Sequence, residues 1–195
     1  MTDTEPSKIG ITSSVGQSDS ARTRRALLTA AADLINIDGT VTITGLTTGT
    51  GLTRGAVYVH FDSKTELILG VIDAADEQLR AAYAPEAAVE RHRDAAAIMK
   101  DFLDRLAADR ILRATCTLWT DRDFARAARA ATREPLRHQL IDALARTHRS
   151  PYRDPTTIAD LLIAVITARI ATAGDDISEP RARAATAALI DEVLR

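Results

Sequence analysis

The chain has 195 residues, is 46% hydrophobic and only 4% aromatic, and carries a net charge of -2. That size suits one sizeable core or a small domain beside a larger one, and the charge excludes nucleic-acid binding by bulk positive charge, so any DNA affinity must come from a local patch. Cys116 is the only cysteine, which excludes an intrachain disulfide or a cysteine zinc cluster, and no signal-peptide-like or bilayer-spanning apolar run is present, so a cytoplasmic soluble protein is expected.

Residues 1–19 are rich in Ser, Thr, Gly, Asp and Pro without an apolar period and are expected to be a disordered tail. From Ser20 to Ile37, Leu27, Leu28, Ala31, Leu34 and Ile35 recur at helical spacing, with Ser20 as cap and Asp38-Gly39 as stop. A second helix is predicted over Thr42–Thr50, with Ile43, Leu46 and Thr50 inward. Its Gly45 and Gly49 each cost about 1 kcal/mol against alanine, so packing must hold it. Gly51 makes the next turn, and Thr53 caps a short third helix to Val59.

Ser63 and Glu66 form a Ser-x-x-Glu capping box, which opens a long helix with Leu67, Ile68, Val71, Ile72, Ala75 and Leu79 as its stripe and Pro85 as its end. Every later period is helical: Glu86–Ala107, Arg110–Trp119, Asp121–Arg149 with a kink or break at Pro135, Asp154–Ala173 stopped by Gly174, and Ser178–Leu194. No strand alternation and no repeat occurs, so the fold class is all-α.

Two short helices joined by a glycine turn form a helix-turn-helix, whose second helix enters the major groove by its first residues. Here these are Thr53, Arg54, Gly55 and Ala56. Arg54 can donate two bonds to a guanine edge, and Ala56 or a threonine methyl can meet a thymine methyl. Gly55 leaves room for a close backbone. Tyr58 and His60 carry polar tips suited to phosphate, and Phe61 suits the small core beneath. Lys64 lies in a helical first turn that already favours an anion. Arg22, Arg24 and Arg25 can meet the backbone or a minor groove, and Thr42 and Thr44 complete the DNA-facing set. From Ser20 to Lys64, five bases face three acids, Asp33, Asp38 and Asp62, a weak positive balance.

The series Arg24-x-Ala26-Leu27, Ala30-Ala31, Gly39, Leu46, Gly51-Leu52-Thr53-x-Gly55-x-Val57-Tyr58-x-His60-Phe61-x-Ser63-Lys64-x-x-Leu67 resembles the tetracycline-repressor (TetR) family of transcriptional regulators over residues 22–70. The resemblance implies an all-helical homodimer of about nine helices per chain. It further implies that Tyr58, His60 and Lys64 contact phosphates, that Thr53–Ala56 reads bases, and that a small molecule in the C-terminal part shifts the spacing of the two heads. The chain departs from the family between Gly39 and Leu46, where the spacing is short and the usual alanine-rich helix is Thr-Gly-Leu-Thr-Thr-Gly-Thr.

The expected organisation is then a tail over 1–19, a DNA-binding head over 20–66 and a ligand-binding, dimerising body over 67–195. Ile158, Leu161, Leu162, Val165, Ile166 and Ile170, with Ala185, Ala188, Leu189 and Val193, give the last two helices wide apolar faces. The resemblance implies that they pair with their twofold mates; Leu161, Leu162, Val165, Ile166, Ala185 and Leu189 are the interface candidates. By position, Ile98, Phe102, Cys116, Trp119 and Phe124 are the ligand candidates, with ordinary core as the competing reading for Trp119 and Cys116. Arg122, Arg126, Arg129, Arg133 and Arg137 read as a solvated face. His92, His138 and His148 are spread out, so no metal site or cofactor is expected.

The favoured function is a ligand-responsive regulator, a repressor released from a palindromic operator in double-stranded DNA by a small-molecule effector. A dimeric small-molecule-binding protein with a degenerate head is the alternative. No nucleophile–base pair or phosphate loop suggests an enzyme, and no membrane partner is expected.

Overall fold

The computed structural model describes residues 12–83, 94–147, 154–171 and 179–195. Nine helices occur among these residues: α1 (Thr12–Asp38), α2 (Ile43–Thr50), α3 (Arg54–His60), α4 (Lys64–Ala82), α5 (Ala95–Ala108), α6 (Arg110–Thr117), α7, α8 (Pro155–Ala171) and α9 (Pro180–Leu194). Helix α7 runs from Ala125–Ala128 through a π-helical segment, Arg129–Arg133, into Glu134–Thr147, and a 3-10 turn at Leu118–Thr120 precedes it. The described part is therefore all-α. None of its helices is long and apolar enough to cross a membrane.

The helix ends follow local chemistry. Thr42, Thr53 and Ser63 each accept a bond from the backbone N–H three residues on, which caps α2, α3 and α4. Gly39 and Gly51 end α1 and α2 with φ of 70° and 69°, a left-handed conformation that glycine adopts without a Cβ penalty. At the start of α4 the Glu66 carboxylate accepts from the backbone N–H of Asp62, one residue further back than a capping box requires. Asp154 caps α8 through the Thr157 N–H and hydroxyl.

Three features differ from expectation. Helix α1 begins at Thr12, not Ser20, because extending an already packed helix costs little; residues 1–11 lie outside the described set. Pro135 breaks nothing: it is the second residue of the α-helical stretch that follows the π segment, so the wider π turn absorbs its missing N–H. The arginine series is only partly solvated. Arg129 donates to the Trp119 carbonyl at 3.2 Å, and Arg137 grips both oxygens of Asp160 at 2.6 and 3.2 Å, which holds that carboxyl below its ordinary range. Pro85, Gly174, Ser178, His92 and His148 lie outside the described residues.

One hydrophobic core runs from the head through the body, from Leu27 and Leu46 to Leu162 and Ile190. Helix α1 packs on α2 and α4 inside the head and most extensively on α6 of the body. Arg110 clasps this second seam: its guanidinium pairs with Asp33 at 2.9 Å, and its carbonyl accepts from the Asn36 amide at 2.9 Å.

The two helical glycines of α2 are not equivalent. A Cβ on Gly45 would stand 2.9 Å from the capping Thr42 Oγ1 and 3.0 Å from both Leu34 methyls, whereas one on Gly49 would meet nothing. Gly45→Ala is therefore expected to destabilise by about 1 kcal/mol, as overpacking and a disturbed cap outweigh the propensity gain. Gly49→Ala is expected to stabilise by about 0.5–1 kcal/mol. Denaturant titration of both variants checks this; equal shifts would contradict the packing assigned to Gly45.

Candidate nucleic-acid interface

Helix α3 is one short amphipathic segment. Val57 and the following Phe61 are buried, Ala56 and His60 are half-buried, and Arg54, Gly55, Tyr58 and Val59 face outward. In the caps of Thr42 and Thr53 each hydroxyl oxygen accepts one backbone N–H, which leaves the O–H and the methyl of each to meet a ligand. Leu46 anchors α2 in the core, which leaves Thr44 outward.

The basic groups are held in place. The Arg54 guanidinium lies 5.7 Å from the centre of the Tyr58 ring, a cation–π distance. The Lys64 ammonium donates to the Thr40 hydroxyl at 2.8 Å, which ties the first turn of α4 to the loop before α2. Arg24 lies over Phe61 at 4.6 Å, in a slot that Gly70 keeps open; a Cβ there would stand 3.1 Å from Phe61 and from Leu28. Arg22 pairs with Asp19 at 2.7 Å and, like Arg25, is exposed on α1. Asp33, one of the acids counted against the head, pairs with Arg110 at 2.9 Å.

Gly55 has no duty inside the chain. A Cβ there would meet only Thr53 Oγ1, at 3.9 Å, and its φ is ordinary. Thr53, Arg54, Gly55, Tyr58 and His60 lie on α3 or at its cap, and Lys64 opens α4 four residues after His60. Val59, absent from the sequence-derived set, stands among them 80% exposed. Helical spacing with Gly55 was the one signal that could have marked it.

These elements in this order match many solved structures. No protein-family model and no curated protein matches the chain. Fifty-nine solved chains match its structure. CprB, a TetR family protein from S. coelicolor A3(2), superposes with a TM-score of 0.69 at 23% identity, covering 89% of this chain and 88% of its own. PfmR, a TetR family transcriptional regulator from Thermus thermophilus, gives 0.64 at 22% identity over 87% and 97%. A gamma-butyrolactone receptor (ArpA-like protein) gives 0.62 at 23% identity over 91% and 98%.

The chain has the TetR-family fold. The expected division between residues 66 and 67 falls in the first turn of α4, with α1–α3 on its head side and the rest of α4 and α5–α9 on its body side.

The expected ligand residues fare differently. Ile98, Phe102, Cys116 and Trp119 are all buried in the packed core, and only Phe124 is partly accessible. The Trp119 indole N–H donates to Thr132 Oγ1 at 2.8 Å, and Thr132 donates to the Ala128 carbonyl, so this pair is internally satisfied. Burial pushes the Cys116 thiol up, against a smaller lowering by its bond to Thr132, so it stays a neutral core group. All four are packed within the hydrophobic core of the chain. A hollow of about 360 Å³ opens instead between α5 and α9, floored by Ala96, Leu103, Ala187 and Ile190, with Lys100 and Arg183 among its rim charges.

The interface candidates divide as well. Leu162 and Ile166 are buried in the chain's own core, on the inner face of α8. Leu161 and Leu189 are 52% and 46% exposed, with Val165 and Ala185 beside them on the outer faces of α8 and α9.

Proposed function

We propose that the chain is a ligand-responsive, DNA-binding transcriptional regulator that acts as a homodimer, repressing from an inverted-repeat operator until an effector binds the body. The observation that carries this reading is the outer face of α3. Its capped first turn, bare Gly55, exposed Arg54 and Tyr58, and the following Lys64 give a compact cationic probe. Arg54 reads a base edge, while Tyr58, His60 and Lys64 grip phosphates, with Arg22 and Arg25 of α1 as further backbone contacts. The solved relatives are described as transcriptional regulators and a gamma-butyrolactone receptor, which supports both the DNA and the effector parts of the reading.

The degenerate-head alternative rested on the glycine- and threonine-rich second helix and the weak charge. Both lose force. Helix α2 is capped at each end, its Gly45 is demanded by Leu34, and Asp33 pairs with Arg110.

The dimer reading is supported by α8: Ile158, Leu162 and Ile166 fill the core, while Leu161 and Val165 put apolar surface on its outer side. Such an outward apolar stripe needs cover. A second copy supplies that cover and gives the twofold that a palindromic site demands.

Two experiments test the reading. In gel shifts at low salt on duplexes tiled across the DNA flanking its gene, the protein is expected to retard specific fragments. Lys64→Ala should weaken all complexes alike and lower the salt slope by about 1, as loss of one phosphate contact does; no retardation of any fragment would sink the DNA reading. In sedimentation, Leu161→Glu and Leu189→Glu are expected to give folded monomers, whereas Leu162→Glu should unfold the chain. A wild-type monomer would overturn the dimer.

A further inference from the structure

The sequence pattern gave α3 polar contacts and, at Ala56 or a threonine, a methyl contact, and left Val59 without a role. Among the described residues, the exposed large hydrophobics are Ile37, Tyr58, Val59, Leu69, Leu161 and Leu189, so two of the six sit on the seven-residue α3. Tyr58 is 40% exposed and engaged by Arg54; Val59 is 80% exposed.

Its surroundings are specific. Val59 lies four residues after Gly55, and residues so spaced share one helix face. The Cα–Cβ bonds of a helix tilt toward its N-terminus, so the Val59 methyls lean over the turn where Gly55 has no side chain. A Cβ on Gly55 would meet nothing closer than Thr53 Oγ1 at 3.9 Å, so the surface beside Val59 is open backbone. The result is a small apolar knob on a cleared patch, flanked by Arg54 and Tyr58. Inside the chain this arrangement gains nothing. A β-branched residue on an exposed helix costs a little propensity, and its apolar surface stays wet.

We propose that Val59 is a base-reading residue that seats a thymine methyl group in the major groove. This rests on the DNA-binding reading above and adds to it one sequence preference. The chemistry selects the occupant. The thymine 5-methyl is the apolar feature that a base pair presents in that groove. A protein partner would need a patch of several hundred Å², and Val59 with its glycine neighbour offers only one side chain. The flanking Arg54 and Tyr58 and the following Lys64 suit phosphates and base edges and would fix the knob's depth in the groove. Arg54 and Val59 then read neighbouring positions, one by hydrogen bonds to guanine and the other by the methyl.

The test uses the full chain. Bound duplexes are selected from a random pool, and dissociation constants are measured for the selected site and for versions in which each thymine of one half-site is replaced by deoxyuridine, which removes only the methyl. At one position the wild type should bind the uracil duplex roughly 3- to 10-fold more weakly, the scale of one buried methyl group. Val59→Ala, which favours helix and leaves the core untouched, should bind the thymine and uracil duplexes equally at that position. A Val59→Ala protein that keeps the wild-type ratio would overturn the assignment, as would selected half-sites whose methyls are all dispensable or that contain no thymine. Recovery of no duplex at all would instead reject the DNA-binding reading, and the assignment with it.

Discussion

The head cannot stand on its own. Helices α2 and α3 have eight and seven residues, below the length at which an isolated helix persists in water. They hold their shape because α1 packs on α2 and α2 on α3, while α1 and α4 pack on each other and both on α6. Leu27, Leu46, Val57, Phe61 and Leu67 are buried in the same core as the body residues Phe102 and Leu106. The Arg110 clasp on Asp33 and Asn36 fixes α1 against α6.

Much of the head was legible before any coordinates. Caps and turns are local chemistry, so Thr53, Ser63, Gly39, Gly51 and Asp154 announce themselves by residue type and spacing. The long stripe of α4 did so by its period. What stayed hidden depends on neighbours distant in sequence. Gly45 and Gly49 carry the same propensity penalty, and only the position of Leu34 separates the packed glycine from the idle one. Val59 looks like any aliphatic residue until its exposure is known. Arg129 and Arg137 follow the spacing of a solvated face, yet bond to Trp119 and Asp160 across the fold.

The body was less legible for a related reason. Cavity wall and packed core draw on the same apolar residues, so position alone could not tell whether Trp119 lines a ligand space or fills one. The Thr132 hydroxyl accepts the Trp119 N–H, a partner thirteen residues away that no pattern in the sequence marks. Helix α8 posed a similar problem. With apolar residues on its outer as well as its inner side, its sequence did not show which residues met which, and the fold divides them into Leu162 and Ile166 inside and Leu161 outside.

The account's central claim is that two copies of this head read one duplex through α3. Hydroxyl-radical footprinting of the full-length protein on a bound fragment tests it most directly. Two protected patches on one face of the duplex, their centres one helical turn of about 34–36 Å or a multiple of it apart, are predicted. A single patch, protection spread evenly along the DNA, or none would contradict it.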